Sequence, residues 1–212
     1  MAPTIKLYYF PMACSLAPHL ILEDSGLTYE SVKLNFRDPA AKEEYTKTVN
    51  LKGQVPALSI DGEVITEIPA ILTAISQLAP EKKYTGDSPK DVVRFYEWIG
   101  YLGSAVHAKA FGAVFAPYKV TDDSSAQEGV KAKGKENSRA ALAFIEKNLA
   151  GIKTKFALGD HLTGVDAYLA VFVNWAKFHE TWDEKAYPSY NALFGRITEL
   201  DSYKRVLQHN AL

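Results

Sequence analysis

Cys14 is the only cysteine in the chain, and its surroundings set it up for chemistry. The run Tyr8-Tyr9-Phe10-Pro11-Met12-Ala13-Cys14-Ser15-Leu16-Ala17-Pro18-His19-Leu20 reads as the end of a strand, a short turn and the first turn of a helix. Free N–H groups and the positive end of the helix dipole gather at such a start, so a thiolate there is stabilised relative to a thiol. Pro18 lies just inside the helix, where its missing N–H costs little. A lone cysteine is otherwise an inert apolar residue; the strand-to-helix position argues for reactivity. His107 stands alone on an apolar helix, where a histidine either packs through a hydrogen bond or acts as an acid or base near neutral pH. Glu67 precedes a helix and complements its dipole. Asp166 follows Thr163 by three residues, the spacing of a reciprocal capping box, which assigns it to folding rather than to chemistry.

Composition narrows the function classes. One cysteine rules out an internal disulfide and every multi-cysteine zinc pattern, so no metal is expected. A net charge of −1 gives no electrostatic case for nucleic acid or for an anionic membrane surface. No apolar run approaches membrane-spanning length, and the start shows no basic segment followed by an apolar one. A soluble protein of a reducing compartment, the cytoplasm, is the expectation.

The elements that must position these residues can be read in order. Ile5, Leu7 and Tyr9 alternate as a strand, Leu16, Leu20, Ile21 and Leu27 recur at helical spacing, and Val32, Leu34 and Phe36 alternate again. This strand-helix-strand unit favours a parallel pair. A polar stretch at 39–49 allows a short helix. Asp61-Gly62 marks a hairpin, and residues 69–79 carry one apolar helical face. That order is thioredoxin-like and covers residues 1–80. Residues 81–89, broken by Pro and Gly, form a linker. Residues 90–212 are nearly all helical, so the fold class is α+β: a thioredoxin-like domain followed by an all-α helical bundle. A single helix is expected over 90–116, weakened by Gly100, Gly103 and Gly112 or opened by them to another backbone, and ended by Pro117. The lysine-rich run from Lys131 to Lys135 is a solvated face.

The residues carry a resemblance. Pro11-Met12-Ala13-Cys14-Ser15-Leu16-Ala17-Pro18-His19 looks like the active-site turn of the bacterial beta-class glutathione transferases, and Asn50-Leu51-Lys52-Gly53-Gln54-Val55-Pro56-Ala57-Leu58 resembles their glutathione-binding loop. The resemblance implies a cis bond before Pro56 that exposes the Val55 N–H and C=O to a bound tripeptide. Thr66-Glu67-Ile68-Pro69-Ala70-Ile71 is similar to the element that meets the γ-glutamyl end, with Glu67 facing the ligand's ammonium and helix N–H groups facing its carboxylate. Glutathione is thereby implied as co-substrate, with Cys14, Lys52, Gln54, Val55, Glu67 and Ile68 as its contacts.

Three departures weaken or shift that site: Ile68 stands where the family has Ser or Gly, Pro69 removes an N–H, and Gly100 replaces an asparagine. His107 is similar to a histidine that faces the thiol, and with Cys14 forms the implied catalytic pair. Lys109 comes one place later than the family's lysine, turned by about 100°. Trp175 resembles an aromatic bordering the second-substrate site, and with Met12, Phe111, Phe115 and Phe178 is expected to line an apolar pocket.

The implied activity is conjugation of glutathione to a small hydrophobic electrophile, the chemistry of detoxification, by a homodimer, with thiol–disulfide exchange through Cys14 as a side activity. Tyr8, Tyr9 and Ser15 are alternative hydroxyls for activating the thiol. The rival readings are a glutathione-assisted isomerase, dehalogenase or biosynthetic tailoring enzyme, a non-catalytic binding protein, and a plain redox protein. The last lacks a second, resolving cysteine.

Overall fold

The structure is a computed structural model and describes residues 2–210; Met1 and Ala211–Leu212, at the ends of the two expected domains, lie outside the described residues. The N-terminal half runs β1 (Ile5–Tyr9), α1 (Leu16–Ser25), β2 (Glu30–Lys33), α2 (Pro39–Thr48), β3 (Ala57–Ile60), β4 (Glu63–Thr66) and α3 (Ile68–Leu78). The sheet has the order β2-β1-β3-β4, with β2 parallel to β1 and β3 and β4 antiparallel to their neighbours. Alternation in β1 does what it predicts: Ile5, Leu7 and Tyr9 are buried and Lys6 and Tyr8 less so. At the hairpin Asp61 and Gly62 both adopt positive φ, 51° and 89°, as the tight turn between twisted strands requires. β2 begins earlier than the Val32, Leu34, Phe36 alternation suggests and ends at Lys33; Phe36 instead packs its ring against Phe10 and Tyr45.

The connecting segment is held at several points. Tyr84 is buried, its hydroxyl donates to Asp24 (2.8 Å), and Lys82 Nζ donates to the Asp24 carbonyl (2.7 Å). The helical half follows with α4 (Pro89–Tyr101), a π-helical stretch (Leu102–Phe111), α5 (Gly112–Phe115), α6 (Gln127–Leu149), α7 (Gly164–Phe178), α8 (Pro188–Glu199) and α9 (Asp201–His209). Ser88 and Asp91 close a capping box at the start of α4.

The single helix expected over 90–116 is continuous but changes hydrogen-bond pattern midway, with the Gly112 N–H bonding to the His107 carbonyl five residues back. Such wide turns collect at functional sites, and this one carries His107. The expectation that Gly100 and Gly103 admit another backbone is not met, since a Cβ built on either touches nothing within 4 Å. The close approach comes from α6, where a Cβ on Gly134 would meet Val114 Cγ2 at 2.8 Å and the Ala110 carbonyl at 3.0 Å. α7 is buried on nearly every side, and one apolar core runs from the sheet through α7 to α9. Among the described residues no helix is long and apolar enough to cross a membrane.

Candidate active site

A cavity of about 770 Å³ opens between the two halves. Cys14, Lys52, Gln54, Val55, Glu67 and Ile68 reach its wall from the first half, and His107, Phe115, Lys119 and Tyr168 from the second.

Cys14 lies two residues before α1, in a turn held by three hydrogen bonds from elsewhere in the chain. Met12, at φ 57°, donates its N–H to Asn210 Oδ1 (3.2 Å) and accepts at its carbonyl from Trp175 Nε1 (2.8 Å). Tyr9 donates its hydroxyl to the His209 carbonyl (2.9 Å). The Cys14 thiol donates to the Val55 carbonyl (3.3 Å), and the Val55–Pro56 peptide is cis. This corrects the thiolate expectation. The backbone N–H groups of Cys14 and Ser15 favour the anion, but burial outweighs them and pushes the thiol up to about 12. Cys14 at neutral pH is therefore a neutral thiol and a donor.

The loop between α2 and β3 is tethered by residues to which the sequence reading assigned no role. The Gln54 carbonyl accepts from Tyr45 Oη and from Asn50 Nδ2, each at 2.7 Å, and Asn50 Oδ1 takes the Lys52 N–H (3.1 Å). Lys52 Nζ then bridges Glu67 and Thr66 Oγ1 across the mouth of the cavity. Glu67 sits at φ 73° and ψ 130°, a conformation that costs a non-glycine residue about 1–3 kcal/mol and that clusters at ligand-binding sites.

His107 Nδ1 lies 2.7 Å from the Tyr168 hydroxyl, and its ring packs against Trp175 at 5.0 Å. Burial pushes the imidazole down to about 4, so it is neutral at pH 7. Tyr168 escaped sequence reading, although a tyrosine within an apolar helix is a signal, because a buried hydroxyl needs a partner.

Of the expected apolar pocket only Phe115 lines the cavity. Phe111 is fully buried and stacks on Phe172 at 5.9 Å, Trp175 is committed to the Met12 carbonyl, and Met12 itself is off the wall. Phe178 is 77% exposed at the last turn of α7, outside the cleft. Lys109 is exposed and its neighbour Ala108 takes the wall position. The alternative hydroxyls are elsewhere: Tyr8 packs on Tyr45, Tyr9 reaches His209, and Ser15, fully buried, donates to the Phe10 carbonyl (3.1 Å). Asp166 is structural, accepting from the Thr163 N–H (2.8 Å), Thr163 Oγ1 (2.6 Å) and the Ala157 N–H (2.8 Å). Among the described residues no cluster of metal-ligating side chains occurs.

Comparison with known proteins agrees with this geometry. Residues 3–77 match the model of the glutathione S-transferase N-terminal domain and residues 106–201 that of the C-terminal domain. The chain is 32% identical to the glutathione S-transferase GstA of Escherichia coli O157:H7 over 81% of its length and 82% of the relative's. It is 24% identical to the maleylacetoacetate isomerase of Rattus norvegicus, over 92% of the chain and 88% of that protein. Among solved structures, a sphingomonad glutathione S-transferase complexed with glutathione superposes with a TM-score of 0.82 at 34% identity, covering 98% of this chain and 99% of that one.

Proposed function

The chain belongs to the glutathione S-transferase family, and from that premise we propose that its cleft binds glutathione and transfers it to a small hydrophobic electrophile. The observation that carries this reading is the convergence on one cavity of Val55 beside a cis proline, the Lys52–Glu67 pair, Cys14 and His107. An extended tripeptide pairs its central amide with the Val55 backbone. Its ammonium replaces Lys52 on Glu67, and Lys52 is released toward the glycyl carboxylate. The N–H groups of Ile68 and Ala70, at the start of α3, face the γ-glutamyl carboxylate.

The reacting group is then the ligand's own thiol. It loses its proton to solvent, because a histidine pushed down to about 4 is a poor base at neutral pH. The Cys14 S–H, released from the Val55 carbonyl when the tripeptide pairs there, turns to the thiolate left behind, which attacks the electrophilic carbon, from which a leaving group departs with the bond's electron pair. Thiol–disulfide exchange through Cys14 is minor on this reading, since the nucleophile for it is the thiolate. A second reading, reversible addition that isomerises the electrophile and returns glutathione, is favoured by Lys119, a cation on the acceptor side of the wall suited to an anionic substrate. Leu51, Val64, Val93 and Tyr96 are exposed apolar side chains, and on this reading a second copy covers them in a homodimer. A single cysteine suits a reducing, cytoplasmic compartment.

Calorimetric titration with glutathione, followed by transfer to 1-chloro-2,4-dinitrobenzene, tests the reading. Saturable heat that is weakened in Glu67→Gln is expected, together with turnover that falls in Cys14→Ala and His107→Ala. A protein that takes up no glutathione at millimolar concentration ends it.

A further inference from the structure

Tyr168 has no part in the function described so far. It sits in the second turn of α7, is 1% exposed, and is one of the residues behind the cavity wall. Among the described residues the only hydrogen-bond partner of that hydroxyl is His107 Nδ1, at 2.7 Å, and chemistry decides which atom donates. Burial raises the phenol far above its ordinary range and lowers the imidazole, so both are neutral at pH 7. The titratable groups that reach the pair are Glu67, which acts on both, and Cys14, which acts on Tyr168. Were Nδ1 protonated, the Tyr168 O–H would be a buried donor with no acceptor, an arrangement folded proteins avoid. With the phenol donating, Nδ1 accepts and the single imidazole proton belongs on Nε2. Among the described residues Nε2 has no partner, and it is not sealed, since the buried unpartnered side-chain atoms there are His19 Nε2, His179 Nε2 and Trp182 Nε1. The ring cannot turn freely, packed against Trp175 at 5.0 Å and Phe172 at 6.3 Å.

We propose that Tyr168 is a positioning residue: its hydroxyl fixes His107 as the Nε2–H tautomer, a permanent donor pointing into the cavity where the glutathione sulfur is to be stabilised. This rests on the reading of the cleft as a glutathione site. It assigns the thiolate a second neutral donor besides Cys14, and neither donor has to change protonation during the reaction. The partner of a catalytic imidazole commonly sets its tautomer in this way.

The test is Tyr168→Phe, which deletes one oxygen and keeps the buried ring, with thermal unfolding as the check on folding. Long-range ¹⁵N–¹H correlation spectra of the free protein, with His107 assigned by its absence in His107→Asn, read the tautomer directly. The expected result is the Nε2–H pattern in the wild type between about pH 6 and 8, with the Nδ1–H form appearing in Tyr168→Phe. In the glutathione complex, followed by thiolate absorbance, the variant raises the apparent pKa of the bound thiol by about one and lowers kcat roughly tenfold. Its Kd for S-methylglutathione, which carries no thiolate, is unchanged. A wild-type spectrum of the Nδ1–H form overturns the proposal, and so does a variant that keeps both the wild-type tautomer and the wild-type thiol pKa. Failure to bind glutathione overturns the functional reading instead, while the spectra of the free protein still decide the tautomer.

Discussion

Alkylation of Cys14 discriminates sharply between a helix-mouth thiolate and a buried donor thiol. The perturbation is iodoacetamide added to the ligand-free protein across a range of pH. Two backbone N–H groups at the mouth of α1 favour the anion, and burial of a residue only 7% exposed opposes it, the net result being a thiol pushed up to about 12. An unperturbed thiol of pKa about 8.5 is roughly one quarter ionised at pH 8. A thiol at about 12 is ionised about once in ten thousand. The rate of labelling is therefore expected to fall about three orders of magnitude below that of an exposed cysteine, and to keep rising with pH past 9 without a plateau. Stability follows with a defined sign. The folded value lies above the unfolded one, so the contribution is complete below about pH 8.5 and is lost as pH climbs toward about 12. Near pH 10 the wild type is expected to have lost about 2 kcal/mol relative to Cys14→Ala, compared with the same difference at pH 7. Rapid labelling with a midpoint below pH 7 would refute the reasoning, because it requires the helix-mouth donors to outweigh desolvation.

Three other outcomes are expected. Asp166→Ala leaves the Ala157 and Thr163 amides buried without an acceptor and is expected to remove about 3–5 kcal/mol in urea unfolding; a loss below about 1 kcal/mol contradicts the capping role. Asn210→Ala frees the Met12 N–H, and amide exchange at Met12 is expected to speed up about tenfold, an unchanged rate showing that Asn210 does not hold the turn. Lys119→Gln is expected to lower kcat/KM for 4-chloro-3-nitrobenzoate two- to fivefold, as for a partly exposed charge pair. It leaves 1-chloro-2,4-dinitrobenzene unaffected, and an equal loss on both substrates assigns Lys119 to glutathione instead.

Local chemistry was legible in the sequence wherever the next residue or the next turn decided the outcome. Asp61-Gly62 turned because those two residues tolerate positive φ, and the spacing of Thr163 and Asp166 announced the capping box that opens α7. What escaped depended on partners far along the chain. Val106, Ala110 and Phe111 fit α and π spacing equally well, and the packing of Gly134 on this stretch is invisible in its own residues. The helix mouth announced donors for Cys14, yet the Val55 carbonyl that accepts its hydrogen bond lies 41 residues away. The aromatics of α7 illustrate the same limit: periodicity marked Trp175 and Phe178 as apolar, but Trp175 is 7% exposed and Phe178, three residues later, 77%. Tyr168 was passed over for the converse reason, as one more ring in an apolar helix, when its hydroxyl was the informative atom.

On the reading proposed above, the departures from the family pattern do not weigh equally on glutathione. Opening the Lys52–Glu67 pair costs little, since the two side chains are 45% and 67% exposed and such a pair contributes at most about 1 kcal/mol in water. The ligand's ammonium then replaces one exposed contact by another. The start of α3 is different. A carboxylate held there depends on donors, and Pro69 supplies none, while the Ile68 side chain brings an apolar surface, 7% exposed, where a hydroxyl would have donated. Each missing donor is a loss of about 1–2 kcal/mol that no neighbouring group restores. The binding energy in this cleft must therefore lie more with the Val55 backbone and less with the helix start, and the loop that presents Val55 is correspondingly well anchored. Tyr45 and Asn50 both close on the Gln54 carbonyl one residue before Val55, and both are buried. A rigid backbone edge loses little entropy on pairing with a short peptide, which is how a site with a weakened carboxylate grip can still hold its ligand in register.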